Sequence, residues 1–390
     1  MGLALLAAAD GNAFKIAGLA PKVHFNGITN PNFTAEMRDF FEEKMNGEVE
    51  AAFDTSLAKA NRTMSGFGSQ KKLAQGMANA NAYASNAGTL QGYPNYEHFA
   101  LSNGFLLAVQ APSADPSAYS DMGEKISDEG DLYMGLSAGY AFFNLGVNCK
   151  FLLPGLYANI KYGGTSLSVK DFSLDYKLFG FGVNYKLLEP KSFAGLVKWR
   201  GISVGTGFYM QMDELSMKVE VDTFRTDAKF REAVLAGSSG ADAANKEAIL
   251  TEMGYGPGSE DAEVVINPVF KMGLDITTFT IPVEANTAVA LLWGVINLNF
   301  GLGMDLNFGN ADILLEGKSD AAIEGNSTSK VTFDNATVTV DGSSKNGPSF
   351  ARLRAMTGVG LGLGPVKIDI PIIYYVKSGF AFGVTGAIVW

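Results

Sequence analysis

From about residue 96 onward the chain alternates between apolar and polar positions. In Gly294–Phe308, Ile296, Leu298, Phe300, Leu302, Met304, Leu306 and Phe308 fall on one face. Asn297, Asn299, Gly301, Gly303, Asp305 and Asn307 fall on the other. A period of two marks a strand lying between two unlike environments. This stretch runs for about 15 residues, where a soluble strand usually has five or six. Val366–Tyr374 sets Val366, Ile368, Ile370, Ile372 and Tyr374 against Lys367 and Asp369. Ala351–Leu363 sets Leu353, Val359, Leu361 and Leu363 against Arg352, Arg354, Gly358 and Gly360. Phe380–Trp390 sets Phe382, Val384, Ile388 and Trp390 against Ala381, Gly383, Thr385 and Ala387. Ile266–Ile276 sets Phe270, Met272, Leu274 and Ile276 against Lys271 and Asp275.

Two strands change phase. Phe172–Leu187 switches from Tyr176 and Leu178 to Phe179 and Phe181, and Leu196–Val221 from Met210 and Met212 to Leu215 and Met217. A slip of one residue turns every side chain to the other face, so β-bulges are expected near Leu178 and Glu214. Between strands, long loops are expected at 112–130, 223–263 and 310–347. Short turns are expected at Leu188–Ser192, Glu284–Thr287 and Gly364–Pro365. The middle long loop carries helical segments near Asp227–Ala236 and Ala243–Met253.

The first 95 residues read differently. Thr34 is a helix N-cap, with Met37, Phe40, Phe41 and Met45 at helical spacing behind it, which predicts a helix to about Ala60. Gln70–Ala87 is rich in Ala, Asn, Ser and Gly and has no apolar stripe, so it must sit against or inside something larger. Residues 1–10 have the apolar, small-residue character of a signal-peptide remnant.

Composition decides between a soluble and a membrane protein. There are 46 glycines and 27 phenylalanines in 390 residues. Glycine-rich faces weaken soluble strands, whereas a lipid-facing belt around a polar lumen uses them. No apolar run approaches the roughly 18 residues of a membrane helix. The closing strand ends on Trp390, the carboxy-terminal signature that the barrel insertion machinery recognises. It places the long loops outside and the N-terminal segment at the periplasmic mouth. The expectation is an all-β, transmembrane antiparallel β-barrel of ten to fourteen strands in the bacterial outer membrane. Residues 96–390 form the barrel and residues 1–95 a partly helical hatch or plug. The net charge of −10 disfavours nucleic acid. Cys149 stands alone, so it forms no intramolecular disulfide. With two histidines and no nucleophile elbow, phosphate loop or zinc motif, no enzyme activity, metal or cofactor is expected.

The N-terminal segment with Asn30-Pro31 before a helix, the helix-bearing loop 223–263 and the closing hairpin Val366–Val376 with Phe380–Trp390 resemble the FadL-like outer-membrane transporters. Asn32 stands where that family's hatch element has Ala. The resemblance implies a barrel of about fourteen strands closed by an N-terminal hatch, and passive uptake of hydrophobic compounds such as long-chain fatty acids. It makes Asn30 and Pro31 a hatch element, where the residues alone give an Asn-Pro turn before a helix, and Phe14, Ile16 and Phe25 either line a ligand pocket near the N-terminus or pack inside the barrel. Arg352, Arg354 and Lys367 then attract a carboxylate or join Asp275, Asp305 and Asp369 in a lumenal charge network. An interrupted strand at Leu178–Phe179 becomes the lateral gate. The implied partners are a fatty-acid-like small molecule and outer-membrane lipids. A general diffusion porin and a surface adhesin or structural barrel are the competing readings.

Overall fold

A computed structural model describes residues 15–65, 70–90, 96–111, 135–193, 196–220, 223–325 and 330–390. Phe14, the signal-like residues 1–10 and the loop 112–130 lie outside the described residues. Two short strands, β1 (Lys15–Gly18) and β2 (Val23–Phe25), and two helices, α1 (Ala35–Ser65) and α2 (Gln70–Ala84), precede the main sheet. Ten antiparallel strands then close a ring: β3 (Phe99–Gln110), β4 (Gly135–Asn148), β5 (Leu156–Val169), β6 (Phe172–Leu188), β8 (Val197–Glu220), β11 (Val269–Leu291), β12 (Ile296–Glu324), β15 (Ala351–Leu363), β16 (Val366–Tyr375) and β17 (Gly379–Val389). The short strand β7 (Lys191–Phe193) folds back on β8. The seam lies between β17 and β3, where Trp390 N–H donates to Phe99 O at 2.9 Å and the two rings lie 4.5 Å apart. Ten strands lie within the expected range and below the fourteen that the resemblance implies.

The alternation read from the sequence is the alternation of the wall. Ile368, Ile370, Ile372, Leu353, Leu361, Phe382 and Val384 point outward around the ring, and Leu302 is 69% exposed. Asn299, Asp305, Arg354, Asp369 and Thr385 point inward and are buried. A continuous apolar exterior on a closed sheet is stable only in lipid, where closure also satisfies every edge. The chain is a transmembrane barrel of the bacterial outer-membrane type.

The bulges expected at Leu178 and Glu214 are absent. β6 pairs without a break with both neighbours across Tyr176–Phe181, and β8 does so across Met210–Met217. The register shifts lie elsewhere, at Ser102/Gly104, Lys186/Leu188 and Thr287/Val289. What changes is the surroundings. Below Phe179 the outer face meets lipid and the inner face meets a polar lumen. Above it the outer face carries Lys177, Asp175, Glu214 and Asp275, while Leu215, Phe270, Leu274 and Ile276 turn inward onto an apolar core. The strands cross the membrane boundary in constant register, and polarity inverts around them. This corrects Asp275, which faces solvent rather than the lumen.

The upper ends of β8, β11 and β12 rise above the ring into a cap. The stretch 310–347 is not a loop. β12 continues to Glu324, and β13 (Val331–Phe333) and β14 (Ala336–Asn346) follow, with β14 pairing β12 from Ala311 to Ala321. Likewise Glu284–Thr287 is mid-strand in β11, and the turn falls at Leu292–Val295. The expected helices of 223–263 are present as α3 (Phe230–Leu235) and α4 (Gly240–Met253), between β9 (Phe224–Ala228) and β10 (Ala262–Ile266). The cap has its own core. Phe41, Met45, Val49 and Phe53 of α1 meet Phe230, Ile249, Leu250, Ile313, Val338 and Val340. β1 pairs β14 and β2 pairs β13, so the N-terminal segment is woven into the cap.

Candidate functional site

The lumen is occupied by α2 and the turns that follow it. The helix is built from small residues because the space allows nothing larger. A Cβ on Gly135 would lie 1.9 Å from Gly76 O, and one on Gly139 would lie 2.0 Å from Ala84 O. Helix and wall are in backbone contact, which only glycine on the strand permits. Gly139→Val is therefore expected to push α2 off β4 and to destabilise the barrel by about 1–3 kcal/mol, the usual penalty for overpacking. Faster proteolysis within residues 85–90, compared with the parent, checks it.

Polar groups hold the plug. Lys161, fully buried, donates from Nζ to Ser85 O at 2.6 Å, Thr89 Oγ1 at 3.1 Å and Ala87 O at 3.3 Å. Its ammonium also lies 3.5 Å from the centre of the Tyr209 ring. It neutralises the carbonyl end of α2, where the helix dipole favours a cation. Asp213 Oδ2 accepts from Asn81 Nδ2 at 2.7 Å and from Ser137 Oγ at 3.0 Å. The Tyr83 ring stacks on Tyr375 at 3.6 Å, and its hydroxyl meets Ser378 and Gln110 at 2.5 and 3.1 Å. Gly88 O accepts from Ser102 Oγ at 2.9 Å and Asn144 Nδ2 at 3.0 Å.

Of the residues named from the sequence, Arg354 lies at the centre of this site. Its Nη2 donates to Glu284 Oε2 at 2.5 Å, and its Nε sits 3.1 Å from Asp305 Oδ1, close enough for attraction but outside hydrogen-bonding geometry. Lys367 and Asp369 share the lumenal face lower in the wall, where Asn299 Nδ2 reaches Asp369 at 3.5 Å. Arg352 caps the turn above, donating to Ser349 Oγ at 2.5 Å. These contacts are those of a charge network; no carboxylate ligand is needed to satisfy Arg354.

The remaining residues lie elsewhere. Ile16 and Phe25 belong to the cap core rather than to a lumenal ligand pocket, because β1 and β2 pair with cap strands. Asn30 and Pro31 form the turn into α1, where Asn30 N–H donates to Glu252 Oε2 of α4 at 3.1 Å and Asn30 Oδ1 accepts from Asn32 N–H at 3.0 Å. They are cap residues, and the lumenal plug is α2. Leu178 is buried against the plug cluster and Phe179 faces outward, in unbroken pairing, so nothing marks them as a gate. The N-terminal α1 sits at the end of the barrel opposite Trp390, not at the mouth beside it.

Lys161, Asp213, Tyr83 and Glu284 join the site without standing out in the sequence, as does Gln211, whose Nε2 donates to Ser137 Oγ and Ala138 O, both at 3.2 Å. The signal that was present is an isolated lysine or carboxylate on an otherwise Gly- and Asn-rich inner face.

Glu252 ties the N-terminal segment to the cap. Its carboxylate accepts from Lys330 Nζ at 2.5 Å and from the Thr29 N–H at 2.7 Å, and Lys330 above all holds its pKa down to about 2 from 4.5. A depressed folded value means stabilisation that is complete above 4.5 and lost as pH falls through about 2. Residues 26–33 are expected to lose protection, their amide exchange rising relative to the intrinsic rate at each pH as pH drops across that window, and this loss is expected to vanish in Glu252→Gln.

A small cleft of about 30 Å³ lies in the lumen by Thr89, Leu90 and Tyr96. A larger groove of about 710 Å³ lies on the outer wall, lined by outward side chains including Leu156, Val183, Val204, Val283, Leu302 and Leu353. No group of three or more His, Cys, Asp or Glu side chains forms a metal site among the described residues.

The model of the Lsa36-like family matches residues 31–390. No curated protein matches the sequence. Among solved structures, the translocator domain of the autotransporter NalP from Neisseria meningitidis is 9% identical, with 75% of this chain and 88% of that one covered at a TM-score of 0.24. The P. putida toluene transporter TodX is 9% identical, with coverage of 80% and 93% at a TM-score of 0.21. The outer-membrane channel DcaP of Acinetobacter baumannii is 8% identical, with coverage of 77% and 99% at 0.16. At scores this low the likenesses carry no functional argument.

Proposed function

The chain belongs to the Lsa36-like family, and we propose that it is an outer-membrane channel gated from within by α2, with small hydrophobic compounds as its cargo. The observation that carries the reading is the nature of the plug. The lumen wall is polar, and the plug matches it. The plug is small, hydrophilic and held by hydrogen bonds and buried charges that water can replace. It is joined to the cap above and to β3 below, so it opens by rearranging within the lumen rather than by leaving it. Hydrophobic cargo is supported by the apolar groove on the outer wall, behind which Glu284 lies.

The test is reconstitution. Purified protein in a planar bilayer is expected to show no large steady conductance, while vesicles carrying it take up a labelled long-chain fatty acid with saturation. Large steady conductance eliminates the internal gate. Uptake no faster than in protein-free vesicles eliminates the hydrophobic cargo.

The cap favours a second reading, a surface-displayed binding module carried on the barrel. It has its own apolar core and is larger than closing a ten-stranded ring requires. Excision of 223–266 in favour of a short turn separates the two readings. Loss of adherence of the cell with uptake intact supports display, and the converse supports gating.

A further inference from the structure

Among the described residues the chain crosses the barrel an odd number of times. Ten strands cross in the wall, and the run from α2 to Leu90 crosses inside it. The direction of that inner crossing is set by its contacts. Lys71 O accepts from Asn346 Nδ2, and Asn79 Oδ1 accepts from Ser349 N–H, both at the cap end. Tyr83 reaches Gln110 and Ser378 at the upper rim of the ring. Gly88 lies against Gly104 and Ala141 halfway down. Tyr96 reaches Gly146 near the opposite rim, beside the start of β3 and Trp390. The chain therefore descends from cap to far rim before the first wall strand begins. Residues 15–65 lie on one side of the membrane and Trp390 on the other.

We propose that this barrel passes its own N-terminal segment through its lumen, and that α2 is the last part of that segment, arrested in transit. Three features agree with it. The lumen fits one helix and no more, since α2 touches the wall backbone at Gly135 and Gly139. The part left in the lumen, α2 and the turn after it, meets the wall through small residues, Gly76 against Gly135 and Ala84 and Ala87 against Gly139, so no bulky side chain obstructs it there. The cap is completed only after transit, because β1 adds to the edge of β14, β2 to β13, and α1 lies across β9 and β10. Ordering of the cap on the far side favours forward movement and prevents return, and Lys161 then fastens the trailing carbonyls. The activity proposed is export of a polypeptide, this chain's own residues 15–65, by an extended or single-helix route. It goes beyond the channel reading and does not require the lumen to conduct solutes.

Two experiments on cells decide it. In a Cys149→Ser background, Glu50→Cys on the exposed face of α1 and Lys150→Cys in the β4–β5 turn report the two sides. A membrane-impermeant maleimide is expected to label Glu50→Cys on intact cells, and to label Lys150→Cys only after the outer membrane is opened. Labelling of both on the same side, or the reverse pattern, overturns the proposal. For the route, a small disulfide-stapled domain is fused ahead of residue 15. A folded domain is wider than the roughly 10–12 Å of a helix, so under oxidising growth it stalls, and the label on Glu50→Cys is lost while the heat-resistant barrel still forms. With a thiol reductant the label returns. Equal labelling under both conditions shows that the segment does not travel through the lumen. A failure of fatty-acid uptake leaves both results unchanged, so the two readings fall separately.

Discussion

Arg354→Met will destabilise the barrel by about 3–5 kcal/mol, the range for breaking a buried ion pair by removing one partner. The guanidinium is 2% exposed and stands between Glu284, 15% exposed, and Asp305, which is fully buried. Removing it leaves the Glu284 and Asp305 carboxylates without the cation that stands between them. Asp305 is the more vulnerable to this loss, since it is fully buried and its other polar neighbours, Tyr375 and Asn86, are neutral. The measurement is the midpoint of heat or urea unfolding, read from the mobility shift of the folded barrel. The triple variant Arg354→Met, Asp305→Asn, Glu284→Gln removes the charge along with its partner and is expected to recover most of the loss. A triple variant as unstable as the single one would mean that Arg354 acts through packing alone.

The second large effect concerns the gate. Lys161→Ala removes three donated hydrogen bonds and the charge at the end of α2. Each hydrogen bond from a charged group is worth about 1.5–3 kcal/mol, so the seating of the plug rests heavily on this one side chain. The wall itself does not: Lys161 and its neighbours on β5 keep their backbone pairing with β6 at Gly180. Lys161→Ala is therefore expected to leave a folded barrel whose lumen flickers open, seen as brief conductance steps in a planar bilayer where the parent is silent. Lys161→Arg, which keeps the charge but needs more room, is expected to fall between them. A silent Lys161→Ala barrel with unchanged proteolysis at 85–90 would show that the plug is held by shape rather than by charge.

The wall was legible because period-two alternation follows from the pleat alone. Val366, Ile368, Ile370 and Ile372 point outward as read, and Lys367 and Asp369 point inward. The boundary of the membrane was also written in the sequence, at Leu178–Phe179 and around Glu214, but in a form that local reasoning takes for a bulge. A slipped register and an inverted environment leave the same trace in one strand. Only the pairing of β6 with β5 and β8 separates them. The stretch 310–347 was misread for a related reason. In the cap its outer face is solvated, so Glu316, Lys318 and Asp320 make a strand look like a loop until β14 is seen beside it.

The candidate site divides in the same way. Arg354 was recognisable because a cation on a glycine-rich strand face must find a partner. Its partners were not recognisable, since Glu284 and Asp305 come from β11 and β12, and Glu284 reads locally as part of a turn. Lys161 gave no local signal of importance, because its ligands are the carbonyls of the turn after α2, some 75 residues away in sequence. The small, stripe-free composition of 70–87 by itself required a host, because such a helix buries too little apolar surface to stand alone. That the host is the lumen of the same chain, entered from the cap end, was decided by the tertiary structure. Direction through a ring depends on which rim each residue meets, and that is a relation between distant residues that no local pattern carries.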